Sequence, residues 1–231
     1  MQTAKISEIF LSYQGEGPYA SSRQLFLRFY GCNKSCVFCD TLLESYKTFT
    51  KDNLMGKVLD FEGDYNELVL TGGEPLLFPE FISGFLVLFK NYRENPIYLE
   101  TNGTLPEALE KVIDQVDIVA MDFKLPSSTG GTDDVWASHE RFAGIAAAKE
   151  LIIKAVVTGS TDFKDIKRMA SVIGGLGQDG IDIVLQPVTA ANGLVTEPDE
   201  EMLYYFKKHI EKETRGNVMI FGQMHKCLGI R

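Results

Sequence analysis

The chain of 231 residues contains four cysteines, and three of them, Cys32, Cys36 and Cys39, fall within the stretch GCNKSCVFCD at 31–40. Thiolates are soft ligands, so three on one short loop point first to a metal. A structural zinc site takes four ligands and a catalytic one takes three plus an open position, but structural zinc usually joins two CxxC-like knuckles and no second knuckle is present. An ordinary ferredoxin-type cluster takes four cysteines, and only Cys227 could be the fourth. A disulfide would strand an odd cysteine inside the loop. Three thiolates on one tight loop instead suit a 4Fe-4S cluster with one iron left open to a small molecule.

A second chemical signal is Gly72-Gly73-Glu74-Pro75. The glycines carry no side chain, so backbone can come close to a ligand, and Glu74 offers an anionic acceptor suited to an ammonium group. Taken alone, such a segment is more often a tight turn with a solvated glutamate.

The elements that must hold these groups read as α/β. Runs rich in β-formers at 24–30, 67–71, 96–101, 117–123, 151–158 and 182–188 alternate with helical segments, the signature of a mostly parallel sheet. A further run at 217–223 closes the series, and 5–12 reads as an additional strand before the loop QGEG. Between them, Ala108, Leu109, Val112 and Ile113 make one apolar face of a helix expected over 106–116. Another helix is expected over 197–212, with acidic residues in its first turn and lysines near its end. The unusual residues sit where strands stop: the cysteine loop, the glycine pair, Asn102-Gly103, Lys124, Gln186-Pro187, and Gln223 with His225. Parallel βα folds assemble their sites from the loops after the carboxyl ends of strands, so a single composite site on one rim is expected.

Composition narrows the function classes. With 45% hydrophobic and 24% charged residues the chain is ordinary for a globular protein, and one domain over 1–231 is expected. A formal net charge of −9 argues against a nucleic-acid surface, which draws its affinity from clustered Lys and Arg. The start MQTAKISEIF lacks a secretory signal pattern, and the longest apolar runs, such as 85–89, are far too short to span a bilayer. A cytoplasmic protein is the expectation, where clustered cysteines more often bind metal than form disulfides.

The pattern Cx3CxxC with an aromatic residue, Phe38, before the last cysteine resembles the signature of radical S-adenosylmethionine (SAM) enzymes. The resemblance implies a partial (β/α) TIM-like barrel of about six parallel strands, with an N-terminal strand and a short C-terminal extension. It implies that Cys32, Cys36 and Cys39 hold three irons of a 4Fe-4S cluster while SAM chelates the fourth. Phe38, Asp40, Gly72, Gly73 and Glu74 would then contact SAM, the last three resembling the family's GGE motif. Phe123, Lys124 and Leu125, together with Gln186, Pro187, Val188 and Thr189, occupy later strand ends that in this family line the ribose and adenine. Alone, a lysine or glutamine at a strand end is most often just solvated.

More specific are YQGEG (13–17), LRFYGC (27–32), CDT (39–41) and QMHKCLGIR (223–231). In this order and on so short a chain they resemble the 7-carboxy-7-deazaguanine synthase family, the QueE-type enzymes of queuosine and deazapurine biosynthesis, end to end. The resemblance implies that Tyr13, Gln14, Gly15 and Glu16 bind a carboxylated pterin, with Glu16 accepting from its guanidine-like edge. Arg28 would pair with the substrate carboxylate, a task that suits a planar guanidinium. Thr41 would place its hydroxyl on Mg²⁺, a hard ion that prefers oxygen ligands. Thr71 and His225 would line the same pocket, and the carboxylate of Arg231, six residues after His225, would reach into it. Met224 stands where threonine is expected, and Cys227 has no role in the pattern. A homodimer is the family's usual state, and an electron donor such as flavodoxin or ferredoxin would reduce the cluster.

The implied reaction is conversion of 6-carboxy-5,6,7,8-tetrahydropterin to 7-carboxy-7-deazaguanine with loss of ammonia, SAM being regenerated. A rival is an activating enzyme that installs a glycyl radical on a large protein partner; it gives no purpose to Arg28, Thr41 or the terminal carboxylate. A non-enzymatic rival is a cluster carrier using all four cysteines.

Overall fold

The computed structural model describes residues 2–41, 44–61, 64–131, 134–189 and 195–224. Its frame is a sheet whose strands are β1 (Thr3–Tyr13), β2 (Arg23–Phe29), β3 (Lys47–Thr50), β4 (Glu67–Gly72), β5 (Ile97–Thr101), β6 (Ile118–Asp122), β7 (Glu150–Val157), β8 (Asp182–Pro187) and β9 (Asn217–Ile220). They lie in the order β3-β1-β2-β4-β5-β6-β7-β8-β9. From β2 onward every pairing is parallel, while β1 runs antiparallel to both β2 and β3. The sheet is open, as a partial barrel requires, and β9 joins the expected six as a seventh parallel strand. The short edge strand β3, which sequence periodicity missed, pairs Thr3–Ile6 of β1 with Lys47–Thr50.

Helices cover the outer face: α1 (Lys51–Leu59), α2 (Pro79–Phe89), α3 (Pro106–Glu110), α4 (Pro126–Thr129), α5 (Trp136–Ala146), α6 (Phe163–Gly175) and α7 (Glu200–Glu213). Their starts follow capping chemistry. Thr50, Asp162 and Asp199 each accept a hydrogen bond from a backbone amide of the first turn, and Pro79 and Pro106 open α2 and α3. The expected helix at 197–212 therefore begins three residues later, after the Asp199 cap. The helix expected over 106–116 stops at Glu110 and resumes as a 3₁₀ turn at Ile113–Gln115; Val112 has left helical geometry at φ −126°. Adjacent β-branched Val112 and Ile113 lose rotamer freedom in a helix, which favours the break.

The pleat divides the strands into two faces. Leu25, Leu27, Leu68, Leu70, Leu99, Ile153 and Leu185 point outward into the main core, where Phe85, Phe142 and Ile210 of the helices meet them. The inner face starts apolar, with Phe26, Val69, Tyr98, Ala120, Ile152 and Val184 in a smaller cluster. Two residues further along the same strands, the inward positions become Arg28, Thr71, Glu100, Asp122, Lys154 and Gln186, which line a cavity at the carboxyl ends. No helix among the described residues is long and apolar enough to cross a membrane.

Candidate active site

The cavity has a volume of about 520 Å³ and lies between the cysteine loop and the inner wall of the sheet. The cysteine loop leaves β2 where the ends of β2 and β4 are pressed together. A Cβ on Gly72, which has φ +131°, would stand 2.2 Å from the Phe29 carbonyl oxygen, and one on Gly73 would stand 2.1 Å from that of Gly31. Only glycines fit this seam, and their closest neighbour is protein backbone, with both still lining the cavity. Across the seam the Gly73 and Glu74 amides donate to Phe29 and Gly31 at 3.2 and 2.9 Å.

Cys32, Cys36 and Cys39 are free thiols on the cavity rim. Partial burial raises the pKa of Cys32 and of Cys36, opposed at Cys32 chiefly by the Lys34 amide and at Cys36 by the Lys124 ammonium. Thiolates there call for the positive charge of bound metal. Among the described residues no three His, Cys, Asp or Glu side chains gather as ligands of a single ion would. Three thiols on one loop fit a cluster, in which each cysteine meets its own iron.

Glu74 follows the glycine pair at the end of β4. It is fully buried, and its oxygens accept from the Leu76 amide at 3.0 Å, the Thr101 hydroxyl at 2.9 Å and the Asn102 amide at 2.8 Å. Its side chain ties β4 to the end of β5. Burial pushes its carboxyl up to about 7 against these donors. Phe123 and Leu125 are likewise core residues: the Phe123 ring packs 4.3 Å from His139 and 5.9 Å from Trp136. Pro187 and the exposed Thr189 lie outside the cavity lining. His225 and Arg231 lie outside the described residues, as does Cys227.

The remaining expected residues do come together. Phe38, Asp40 and Thr41 line the cavity on the cysteine side. Lys124 is paired with Asp122, with its ammonium 5.5 Å from the Phe38 ring centre. Burial pulls that ammonium down, but the Asp122 carboxylate and the Cys36 sulfur together outweigh it and the net shift is upward. Val188 and Gln186 complete that side. Tyr13 at the end of β1 and Gln14, Gly15 and Glu16 just after it also line the cavity, as do Arg28 and Thr71. Arg28 lies 3.0 Å from Glu8, and its guanidinium carbon sits over the Phe10 ring, 5.2 Å from the ring centre.

Among further polar cavity residues, Asn102 was expected at a strand end, while Glu100, Asp122 and Lys154 escaped sequence reasoning. Glu100 accepts from the Thr71 hydroxyl at 2.6 Å and the Gln14 amide at 3.0 Å. Lys154 pairs with Glu16, whose other oxygen accepts from Gln186 at 3.2 Å and Gln223 at 3.4 Å. Asn102 donates to Asn33 at 2.8 Å and reaches the Cys32 sulfur at 3.8 Å. A signal for three of them was present: a charge inside a strand that a helical layer covers on its other face, as in LIIKAVV, breaks the apolar run such strands normally show.

The site thus has a soft-ligand rim and, facing it, a wall of carboxylates, amides and ammonium groups. Buried Oδ1 of Asp122 and Oε1 of Gln186 have no hydrogen-bond partner among the described residues, so the wall keeps acceptors for a polar ligand. The donor set fits an iron–sulfur cluster on one side and a polar small molecule on the other.

Comparison with known proteins agrees. Residues 27–166 match the Radical SAM superfamily. The 7-carboxy-7-deazaguanine synthase of Geobacter sulfurreducens is 36% identical over 81% of this chain and 83% of its own. That of Methanopyrus kandleri is 30% identical over 96% of this chain and 92% of its own. The fold resembles the crystal structure of QueE from Escherichia coli, with a TM-score of 0.62 and 19% identity over 95% of each chain. With the family match spanning more than half its length and relatives this similar along most of the rest, the chain belongs to the radical SAM superfamily and, within it, to the 7-carboxy-7-deazaguanine synthases.

Proposed function

We propose that the protein converts 6-carboxy-5,6,7,8-tetrahydropterin to 7-carboxy-7-deazaguanine with release of ammonia. The observation that carries this reading is the polar layer on the inner face, Arg28 to Gln186, facing three free thiols across one cavity. Cys32, Cys36 and Cys39 would hold the 4Fe-4S cluster. When bound, cluster and SAM supply the radical chemistry that starts the rearrangement. The chain's own groups then bind and aim. Asp122 and Lys124, beside Phe38, form a polar clamp for SAM, with Gln186 and Val188 continuing the same side. Gly72 and Gly73 leave their backbone bare to the cavity.

Arg28, with its guanidinium over the Phe10 ring, would take the substrate carboxylate. Thr41 brings a hydroxyl to the cavity and would share Mg²⁺ with that carboxylate. Gln14, Glu16 and Glu100 present acceptors to the ring N–H groups, and Thr71 fixes Glu100 by donating to it. Holding both ends of the pterin sets which hydrogen faces the cofactor, so orientation is the protein's main contribution. His225 and the Arg231 carboxylate complete the same pocket in this reading. A flavodoxin- or ferredoxin-type donor supplies the electron, and the working state is a cytoplasmic homodimer.

The test is anaerobic incubation of the reconstituted, reduced protein with SAM, Mg²⁺ and the carboxytetrahydropterin, with product identified by mass spectrometry. Formation of the deazaguanine is expected. Cleavage of SAM without it would remove the substrate assignment.

A further inference from the structure

We propose that Lys154 is a positioning residue that holds Glu16 against the cavity wall and thereby sets affinity for the pterin; this rests on the substrate reading above. Lys154 stands on the inner face of β7, where its neighbours along the strand, Ile152 and Val156, are buried and apolar. An ammonium in such a place is costly to desolvate and persists only with compensation. The compensation comes from far away in the fold. Glu16 follows β1, and β2, β4, β5 and β6 lie between β1 and β7 in the sheet, so the ion pair reaches across the open mouth. Both side chains are mostly buried, at 11% and 15% exposure, so solvent screens the pair little.

Lys154 grips one oxygen of Glu16 while the Gln186 and Gln223 amides grip the other. Donors on both oxygens fix the rotamer and keep the carboxylate an acceptor. Lys154 is poorly suited to give up a proton itself. Burial pulls its pKa down, but Glu16, Glu100 and Asp122 together outweigh burial and hold it far above the ordinary lysine value. A permanent cation that touches Glu16 acts through Glu16, and the consequence should be read in substrate binding.

The experiment is a double-mutant cycle on the reconstituted holoenzyme with SAM present, reading equilibrium binding of the oxidised, unreactive analogue 6-carboxypterin by its fluorescence. Lys154→Met is expected to weaken analogue binding about thirtyfold, while SAM affinity stays within about twofold. Because Lys154 acts through Glu16, adding Lys154→Met to Glu16→Gln should cost no more than about twofold further. Steady-state kinetics of Lys154→Met should show the pterin KM rising more than kcat falls. An undiminished thirtyfold loss in the Glu16→Gln background, or an equal loss of SAM affinity, would overturn the inference. Should Lys154→Met alone fail to fold, Glu16→Gln against Glu16→Gln/Lys154→Met still decides, since that pair leaves no unpaired carboxylate at position 16. If the wild type does not bind the analogue, the substrate reading falls and the inference with it; normal wild-type binding with an unaffected Lys154→Met overturns the inference alone.

Discussion

Asn102 is gripped through its backbone from two sides, by Glu74 and by His139. Its amide donates to Glu74 and its carbonyl meets His139 Nε2 at 3.1 Å, which leaves its side chain directed at Asn33 and Cys32. His139 is completely buried and its Nδ1 has no partner among the described residues, so the ring is neutral with Nε2–H donating. Burial, only partly offset by the Asn102 carbonyl, pushes its pKa down to about 4. The stability held in the neutral ring is fully present above pH 6.5 and lost as pH falls through about 4. Glu74 runs the other way: with its carboxyl raised to about 7, its contribution is present below pH 4.5 and lost as pH rises through 7. Between pH 7 and 5 the two slopes oppose each other. Urea unfolding of the iron-free chain should therefore change little over this range, whereas His139→Gln should gain about 2 kcal/mol on acidification from pH 7 to 5. A variant with the wild-type slope would refute the neutral buried histidine. At Gly73 a methyl group has nowhere to go, since it would meet the Gly31 carbonyl. Gly73→Ala should lower the unfolding free energy by about 2 kcal/mol or more and reduce iron per chain after reconstitution.

At the scale of elements, strand ends were legible and strand interiors were not. The cysteine loop, the glycine pair and the loop after β1 announce themselves by residue type in a turn. Glu100 and Lys154 sit inside apolar strands, and only the pleat, together with knowledge of which face is covered, turns them toward the cavity. Glu74 was legible as a motif residue, but the three donors that converge on it from β5 and its own turn were not, because sequence spacing does not report them. The chain after β9 shows how a terminal element joins the two halves of the site. The Met224 amide donates to Gly15, and Gln223 bridges Glu16 and Asp40. Gln223→Ala removes that bridge between the cysteine loop and the loop after β1. A rise of about fivefold in the pterin KM with an unchanged cluster spectrum is expected, the loss of roughly one net hydrogen bond. An unchanged KM would show that the bridge does not organise the site.

For the whole molecule, the open sheet explains why one chain can host both a cluster and a polar substrate. Parallel strands bring seven carboxyl ends to one rim, and the inner face changes from apolar to polar along the strands, so the same strands both close the floor and furnish the wall. Alternation of elements made this architecture readable from sequence. The break of the helix after Glu110 and the edge strand β3 were not readable, since each depends on a few residues of weak local preference answering to their packing partners. The account stands on three cysteines holding a cluster whose fourth iron is left to SAM. Electron paramagnetic resonance of the reduced cluster, with and without SAM, tests this most directly when applied to Cys36→Ala and Cys227→Ala beside the wild type. The account predicts a cluster signal that shifts on adding SAM in the wild type and in Cys227→Ala, and no cluster signal in Cys36→Ala. Loss of the signal in Cys227→Ala, or a wild-type signal indifferent to SAM, would contradict it.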